Sequence, residues 1–250
     1  MTIPATPIVT FTTDFGTSDA YVAEMKAMVL REARRATLVD VTHQIAGQDV
    51  ASGAYVLERA VRAFPEGTIH VCVVDPGVGS DRKLLIANVN EQIILAPDNG
   101  LITWAYERFS DVSTHELLWR PTQEPSATFH GRDILAPVAG LIAAGNFDFE
   151  HTRRLDRPVL LDHRIATSLA EARVIYIDRF GNAITNVPPT LLNNHTYVSD
   201  IGPIRKTFSE VEIGDPLALV GSSGLLEIAV RNQNAASQLD LVVGSVIRFR

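Results

Sequence analysis

The sequence predicts an α/β protein made of two domains, and three observations lead to this prediction. Strand-like and helix-like segments alternate through the first 75 residues, which is typical of a parallel sheet with right-handed crossovers. Between about 146 and 170 the pattern becomes irregular and charged. Beyond that stretch helical periodicity disappears, and short strand-like runs separated by turn residues remain. We therefore predict an α/β domain at 1–160 and a smaller all-β domain at 161–250.

The individual elements follow from the spacing of apolar residues along the chain. The continuous apolar run at 69–74 predicts a strand that is buried on both faces. The segment 134–144 is apolar all round, which predicts a buried helix with Pro137 in its first turn. The full set of predicted elements comprises strands at 8–15, 37–41, 69–74, 84–89 and 92–95, helices at 21–29, 50–64, 101–109 and 134–144, and C-terminal strands at 174–178, 217–220, 225–230 and 241–249.

The loop after the 69–74 strand carries the strongest candidates for chemistry. The strand ends at Asp75-Pro76-Gly77, and Arg82 follows seven residues after Asp75. A carboxylate at the C-terminal end of a central strand lies where open α/β sheets bind their ligands. The loop lacks the third glycine and the Gly-Lys-Ser/Thr sequence of phosphate-binding motifs, and a strand is predicted to follow it. It is therefore predicted to place an acid and a base rather than to bind a nucleotide phosphate.

Several other polar residues are ordinary when each is considered alone. An isolated Asp-Pro-Gly is more often a turn than a catalytic segment, and the same holds for Asp14 before Gly16 and for the segment 178–182. His130 alone is more often a core or capping histidine than a catalyst. The Gly-Ser-Ser-Gly segment at 221–224 does not reproduce the nucleophile elbow of serine hydrolases. No serine nucleophile is predicted.

Composition narrows the function classes further. The chain has 250 residues, a formal net charge of −7 and one cysteine, and its isoelectric point is near 5.5. An acidic protein without a basic cluster is not expected to bind nucleic acid. The single Cys72 excludes an internal disulfide, and the seven histidines show no metal-ligand spacing, so no metal is predicted. The N-terminal residues lack the basic start of a secretory signal, and the longest apolar stretch is too short to span a bilayer, which predicts a cytoplasmic protein without a membrane partner.

Taken together, seven stretches distributed along most of the chain resemble one family. They are TTDFG at 12–16, YVAEMK at 21–26, VVDPGVGSDR at 73–82, APDNGLIT at 96–103, TFHGRDILAPVA at 128–139, DRFGNAITN at 178–186 and GSSGLLEIAV at 221–230. They resemble the S-adenosylmethionine hydrolases, also called S-adenosylmethionine hydroxide adenosyltransferases, which are relatives of the fluorinases and chlorinases. This resemblance implies an N-terminal α/β domain with a mainly parallel central sheet and a smaller C-terminal barrel-like β domain. It also implies a homotrimer that holds the substrate between the N-terminal domain of one subunit and the C-terminal domain of its neighbour.

The resemblance also implies roles for individual residues. Asp75, Arg82 and His130 match the set that activates water, and Asp14 matches the carboxylate that accepts from both ribose hydroxyls. The positions implied to contact the rest of the substrate are Phe180, Asn182 and the backbone of Val230 at adenine, and Asp178, Ser222 and Glu227 near the methionine end. Gln48 is a departure, because relatives more often carry an aromatic residue there.

The implied reaction is hydrolysis of S-adenosylmethionine to adenosine and methionine without a cofactor. Attack of hydroxide-like water on C5′ cancels the sulfonium charge, and a dry pocket strengthens that attraction. Arg82 should stabilise the developing hydroxide but should also weaken Asp75 as a base, so base function is assigned to the three residues together. Two alternatives remain, namely a halide-using synthase of 5′-halo-5′-deoxyadenosine, which a carboxylate beside the nucleophile disfavours, and a non-catalytic nucleoside-binding protein.

Overall fold

The computed structural model describes residues 6–162, 164–192, 195, 197–199 and 201–249. The chain divides into two compact units, and the division falls between Leu161 and Asp162. We call them the N-terminal unit and the C-terminal unit. Among the residues described, no helix combines the length and the apolar character needed to cross a membrane.

The N-terminal unit consists of a seven-stranded sheet with helices on both faces. Its strands are β1 (Ile8–Thr13), β2 (Thr37–Thr42), β3 (Ile69–Val73), β4 (Leu84–Val89), β5 (Gln92–Pro97), β6 (Val112–Leu117) and β7 (Thr152–Arg154). Its α-helices are α1 (Tyr21–Glu32), α2 (Val50–Ala63), α3 (Thr103–Arg108) and α4 (Ala136–Ala143). A π-helical turn, Gly131–Leu135, leads directly into α4, and a 3-10 turn spans Phe149–His151.

The sheet is mixed, with the strand order β2-β1-β3-β5-β4-β6-β7. The pairs among β2, β1, β3 and β5 are parallel, whereas β4 and β6 pair with antiparallel neighbours. The expected parallel sheet therefore accounts for only one half of the strand pairs. Asn90 and Glu91 join β4 to β5 with φ angles of 50° and 58°, and a two-residue turn of this kind imposes antiparallel pairing.

Strands β6 and β7 are not predicted from the sequence. Four of the six β6 residues are polar, and β7 reads Thr-Arg-Arg, so neither segment shows the apolar alternation of a half-buried strand. They form because β4 offers a free edge to β6, which in turn pairs with β7. Tertiary pairing, rather than local preference, decides these two strands.

Strand β3 is buried on both faces, as its sequence predicts. Val71 and Val73 pack into the apolar cluster that includes residues of α1 and α4. Cys72 and the following Val74 pack into the cluster on the other face, which includes residues of α2 and α3. This alternation is the two-residue period of a strand, and Asp75 follows this fully buried strand with only Val74 between them.

A buried polar network crosses the middle of this sheet. The Thr10 hydroxyl lies 2.7 Å from His70 Nδ1, and His70 Nε2 lies 2.8 Å from Gln92 Oε1. Gln92 Nε2 donates to the carbonyl of Val61, so its Oε1 faces the ring and His70 donates through Nε2. Burial lowers the pKa of His70 to about 4, against the opposing effect of the Gln92 hydrogen bond. The imidazole is therefore neutral in the folded protein near pH 7.

This network predicts a loss of stability in acid. An unfolded histidine with a pKa near 6.5 takes up a proton that folded His70 excludes down to about pH 4. Folding stability that is complete above pH 6.5 should therefore fall by roughly 3 kcal/mol as the pH drops to 4. Urea unfolding followed by tryptophan fluorescence measures this change in the N-terminal unit, because both tryptophans, Trp104 and Trp119, lie there.

The variant His70→Gln serves as the comparison for this prediction. It should be less stable at pH 7, yet it should lose less stability than the wild type between pH 7 and pH 4. Equal losses in the two proteins would contradict the assignment of this pH dependence to His70.

The C-terminal unit contains a six-stranded sheet. Its strands are β8 (Val174–Ile177), β9 (Ala183–Thr185), β10 (Tyr197–Val198), β11 (Gly202–Arg205), β12 (Pro216–Val220) and β13 (Leu226–Val230), with helix α5 at Ala235–Gln238 and 3-10 turns at Leu169–Glu171, Pro189–Leu191 and Phe208–Glu210. The strand order is β10-β11-β12-β13-β9-β8. The β11–β12 pair is parallel, and the other pairs are antiparallel. A core that includes Val174, Ala218 and Ile228 packs beneath the strands.

Two expectations for this unit are wrong. It is not purely β, because it contains α5 and short 3-10 turns. The predicted strand at 241–249 is interrupted by a turn, in which the amide of Ser245 donates to the carbonyl of Val242 and Gly244 has a φ of 92°. Its last residues form only isolated bridges, Val246 to Arg173 and Phe249 to Val198. Among the described residues, the six strands therefore form an open sheet from β10 to β8, and their pairing does not close into a ring.

Candidate active site

An acid–base pair lies at the C-terminal end of β3. Arg82 Nε donates to Asp75 Oδ1 at 2.6 Å and to Oδ2 at 2.8 Å, and Arg82 Nη2 also donates to Oδ2. The side chains are only 6% exposed for Asp75 and 9% exposed for Arg82. Hydrogen bonds between charged partners in a sheltered position are stronger than those between exposed groups. The Asp75 carboxylate and the Arg82 guanidinium are therefore held together as a buried ion pair at this edge of the sheet.

His130 joins this pair through its Nδ1 atom, which lies 3.1 Å from Arg82 Nη2. A guanidinium group can only donate, so Nδ1 must be the acceptor and the neutral ring carries its hydrogen on Nε2. Burial lowers the pKa of His130, and the positive charge of Arg82 lowers it further, whereas Asp75 opposes the shift. In this arrangement the neutral imidazole acts as a donor through Nε2, and Asp75 is the member of the three that can accept a proton.

The loop between Asp75 and Arg82 packs closely against the segment before His130, which brings residues distant in sequence together. Gly79 has a φ of 79°, and a side chain there would place Cβ 2.6 Å from the carbonyl oxygen of Ala127. The loop therefore lies directly against the segment that leads to His130. Ser80 Oγ donates to the carbonyl of Gly77 at 2.7 Å and fixes the turn from within. The predicted cluster of Asp75, Arg82 and His130 is present in the structure.

Asp14 lies at the same edge of the sheet. It follows β1, which is parallel to β3 with Thr13 beside Val73, and carboxyl ends of neighbouring parallel strands share one edge. Its Oδ2 accepts a hydrogen bond of 2.7 Å from the backbone amide of Gln48. Gln48 has a positive φ of 68°, so the residue at this departure from the family pattern contributes its backbone to the site.

Three aromatic side chains, two of them sequence neighbours of Asp14 and His130, are not predicted as site residues. Phe15 follows Asp14, Phe129 precedes His130, and Tyr21 begins α1. Their rings meet edge to face, with centroid separations of 5.4 to 6.0 Å. The Arg132 guanidinium lies 4.8 Å from the centre of the Phe129 ring. The sequence signal for this aromatic cluster is the position of Phe15 next to Asp14 and of Phe129 next to His130.

In the C-terminal unit, the six other predicted residues line one cavity of about 850 Å³. A cavity of this size is within the range of small-molecule sites. The predicted members are Asp178, Phe180, Asn182, Ser222, Glu227 and Val230, and the lining is completed by Phe208, Leu219, Val220, Gly221 and 232–234.

The turn after β8 shapes one wall of this cavity. Asp178 Oδ1 accepts from the amides of Phe180 and Asn182 at 2.9 and 2.8 Å, and Oδ2 accepts from Asn182 Nδ2 at 3.0 Å. Because the side-chain nitrogen of Asn182 donates to Asp178, the Oδ1 atom of Asn182 can accept a hydrogen bond from a ligand. Phe180 is 76% exposed, which leaves a ring face available for stacking.

The electrostatics of the cavity favour a cation. Burial raises the pKa of Glu227, and the negative charge of Asp178 raises it further. None of the described lining residues is a lysine or an arginine. A side chain at Gly221 would place Cβ 2.3 Å from Glu227 Oε2, so glycine is needed for this carboxyl group to lie where it does. A positively charged ligand would relieve the repulsion between Asp178 and Glu227.

A metal centre is not found in the part of the chain that the structure describes. No group of three or more His, Cys, Asp or Glu side chains there could hold a metal ion.

Comparison with known families decides the assignment. Residues 9–153 match the SAM hydroxide adenosyltransferase N-terminal domain, and residues 172–248 match the C-terminal domain of the same family. The chain belongs to this family. We therefore interpret the two groups of site residues, one in each unit, as features of a SAM hydroxide adenosyltransferase.

Curated relatives and a solved structure agree with the family. The chain is 37% identical over 258 residues to the (R)-S-adenosyl-L-methionine hydrolase of Thermus thermophilus, with 96% of this chain and 98% of the relative covered. A fluorinase from an Actinoplanes species is more distant, at 27% identity over 277 residues and 92% of each chain. An uncharacterized conserved protein from Thermotoga maritima has a similar solved structure, with a TM-score of 0.86, 33% identity and coverage of 96% of this chain and 98% of that one.

For this member of the adenosyltransferase family, the structure divides the predicted residues into two groups. Asp14, Asp75, Arg82 and His130 lie in the N-terminal unit, where direct contacts join the last three. The remaining six lie around one cavity of the C-terminal unit.

Proposed function

We propose that this protein hydrolyses S-adenosylmethionine to adenosine and methionine by attack of water on C5′. The observation that carries the proposal is the sheltered contact of Asp75 with Arg82 and of Arg82 with His130 in a chain of the SAM hydroxide adenosyltransferase family. The Thermus relative named an (R)-S-adenosyl-L-methionine hydrolase supports it. We extend the name of that relative to this chain and propose that the (R)-sulfonium epimer is the substrate.

The chemistry follows from the charges in the site. A water oxygen forms a bond to C5′, the C5′–S electron pair moves to sulfur, and methionine leaves as a neutral thioether. The water proton passes to Asp75, which has about four lone-pair positions and retains acceptor capacity beside its bonds from Arg82. Arg82 stabilises the developing hydroxide, and His130 orients it through Nε2–H. Attack by hydroxide-like oxygen on a sulfonium cancels charge, which a sheltered site favours.

The C-terminal cavity suits the rest of the substrate. Asp178 and Glu227 attract the ammonium and sulfonium charges, and Ser222 adds a hydroxyl at that end. Phe180 can stack on adenine, Asn182 Oδ1 can accept from its exocyclic amine, and the backbone of Val230 borders the base. Two hydroxyls in a vicinal diol suit the two oxygens of Asp14. The N-terminal unit would thus supply water activation and ribose binding, and the C-terminal unit the adenine and methionine contacts.

We further infer a homotrimer, in which the N-terminal unit of one copy and the C-terminal unit of the next hold the substrate. Exposed apolar side chains on the cavity lining support association there, since Phe180, Val220 and Phe208 are 76%, 42% and 40% exposed. Bridges from the C-terminal segment to Arg173 and Val198 support a barrel-like closure of the C-terminal sheet. A cytoplasmic location stays a prediction.

The test is product analysis in water enriched in oxygen-18. Adenosine and methionine should form in equal amounts, the label should enter the adenosine 5′-hydroxyl, and the (R)-epimer should react faster than the (S)-epimer. Excess chelator should leave the rate unchanged, because no metal is part of the proposal. Excess chloride or fluoride should yield no 5′-halo-5′-deoxyadenosine.

Three results would overturn parts of the proposal. A halogenated nucleoside would favour a synthase related in activity to the fluorinase, and binding of S-adenosylmethionine without turnover would favour a non-catalytic protein. Activity lost with chelator and restored by a divalent cation would require a metal.

A further inference from the structure

The loop that carries Asp75 and Arg82 is held at both ends by two consecutive residues after β5. Asn99 Nδ2 donates to the carbonyl of Val74 at 2.8 Å, and Val74 immediately precedes Asp75. The backbone amide of Asp98 donates to the carbonyl of Lys83 at 3.0 Å, and Lys83 immediately follows Arg82. Both ends of the loop are therefore fixed to the same short segment.

The Asn99 side chain takes the place of a strand partner. Pairing of β3 with β5 ends at Val71 and Leu95, so the β5 backbone does not continue the ladder to Val74. Val74 is fully buried, and a buried carbonyl without a donor is costly. The Asn99 side-chain oxygen accepts from the amide of Leu101 at 3.4 Å, which orients the nitrogen toward Val74.

We propose that Asn99 is a positioning residue that sets the direction of Asp75 as the chain leaves β3. Asp75 must meet Arg82, and Arg82 must meet His130, through contacts of 2.6 to 3.1 Å. A small rotation of the Val74–Asp75 peptide moves the carboxylate relative to the attacking water, and misplacement by about 1 Å can cost a hundredfold in rate. The kinetic part of this inference rests on the proposed hydrolysis, whereas the structural part does not.

The decisive variant is Asn99→Asp, which keeps the shape and replaces the donor with an acceptor facing the Val74 carbonyl. We expect kcat for S-adenosylmethionine hydrolysis to fall by about 10- to 100-fold, with KM changed less than about threefold, because the side-chain hydrogen bonds of Asn99 go to the backbone of Val74 and Leu101. The variant Asn99→Ser, which keeps a shorter donor, should lie between Asn99→Asp and the wild type.

The matched control is Thr114→Val, in β6 of the same unit. Thr114 is buried, and its hydroxyl donates to the carbonyl of Leu155 at 2.5 Å, so this change also removes one side-chain bond to a buried backbone group. It should lower the melting temperature and leave kcat within about twofold of the wild type.

A second measurement tests whether Asn99 fixes the loop, and it does not depend on enzymatic activity. Hydrogen–deuterium exchange at residues 75–83 should be faster in Asn99→Asp and unchanged in Thr114→Val. If the wild type shows no hydrolysis, the proposed function fails, and exchange at this loop still decides the role of Asn99. The inference is overturned if exchange at the loop is unchanged, or if an active wild type and Asn99→Asp have the same kcat. It is also overturned if kcat falls equally in Thr114→Val.

Discussion

Replacing Asp75 with asparagine should lower the kcat of S-adenosylmethionine hydrolysis by about a thousandfold and change KM only slightly. Asparagine keeps the shape of aspartate but loses its negative charge. Because Arg82 donates to both oxygens of Asp75, the NH₂ group of asparagine would also face a donor of Arg82. The proposed proton acceptor would be lost, while the cavity residues that are proposed to bind the substrate would be unaltered. Single-turnover measurements would separate the chemical step from substrate binding.

The variant Asp81→Asn is the control for this change. Asp81 lies in the same loop and is exposed, so its replacement removes an equal charge at a short distance in sequence. It should keep kcat within about twofold, as surface substitutions usually do. A similar loss of kcat in both variants would point to the net charge of the loop, and a rise in KM alone in Asp75→Asn would make Asp75 a binding residue.

Mixing two inactive variants should restore about a quarter of the wild-type activity if each site needs two subunits. Asp75→Ala damages the N-terminal unit and Asn182→Ala damages the C-terminal unit. In a cyclic trimer assembled at random from equal amounts, a site is intact when one copy supplies an undamaged N-terminal unit and the next an undamaged C-terminal unit. Each condition is met half of the time, which gives about one quarter. Activity is measured after joint unfolding and reassembly.

A mixture of Asp75→Ala with Arg82→Ala provides the matched control. Both changes lie in the N-terminal unit, so no combination of these subunits gives an intact site and the mixture should stay inactive. Failure of the first mixture, in samples that mass spectrometry shows to contain hybrid trimers, would place each complete site within one chain. A monomer in solution would refute the assembly itself.

The elements with strong local signals could be predicted from the sequence. The unbroken apolar run of β3 predicts burial on both faces, and Val71 and Cys72 lie in opposite cores. Pro137 lies in the first turn of α4, as its missing amide hydrogen requires. These features depend on neighbours a few residues away, so periodicity and turn chemistry are enough to reveal them.

Other strands could not be predicted because pairing partners decide them. The polar segment Val112–Leu117 becomes β6 only beside β4, and the apolar segment at 241–249 fails as a strand because a turn at Gly244 interrupts it. Local preference describes one segment at a time, whereas a ladder needs a second strand at the right distance and register.

For the candidate site, the sequence by itself determined the family and the residue types that carry the chemistry. Motifs such as VVDPGVGSDR at 73–82 name Asp75 and Arg82 without reference to a fold. Only the tertiary structure decided that Arg82 donates to Nδ1 of His130, 48 residues away, and therefore that the neutral imidazole donates through Nε2. It also decided that Asn99 holds the carbonyl before Asp75. The physical reason is that a proton's position and a carboxylate's direction depend on partners that the fold brings together across long separations in sequence.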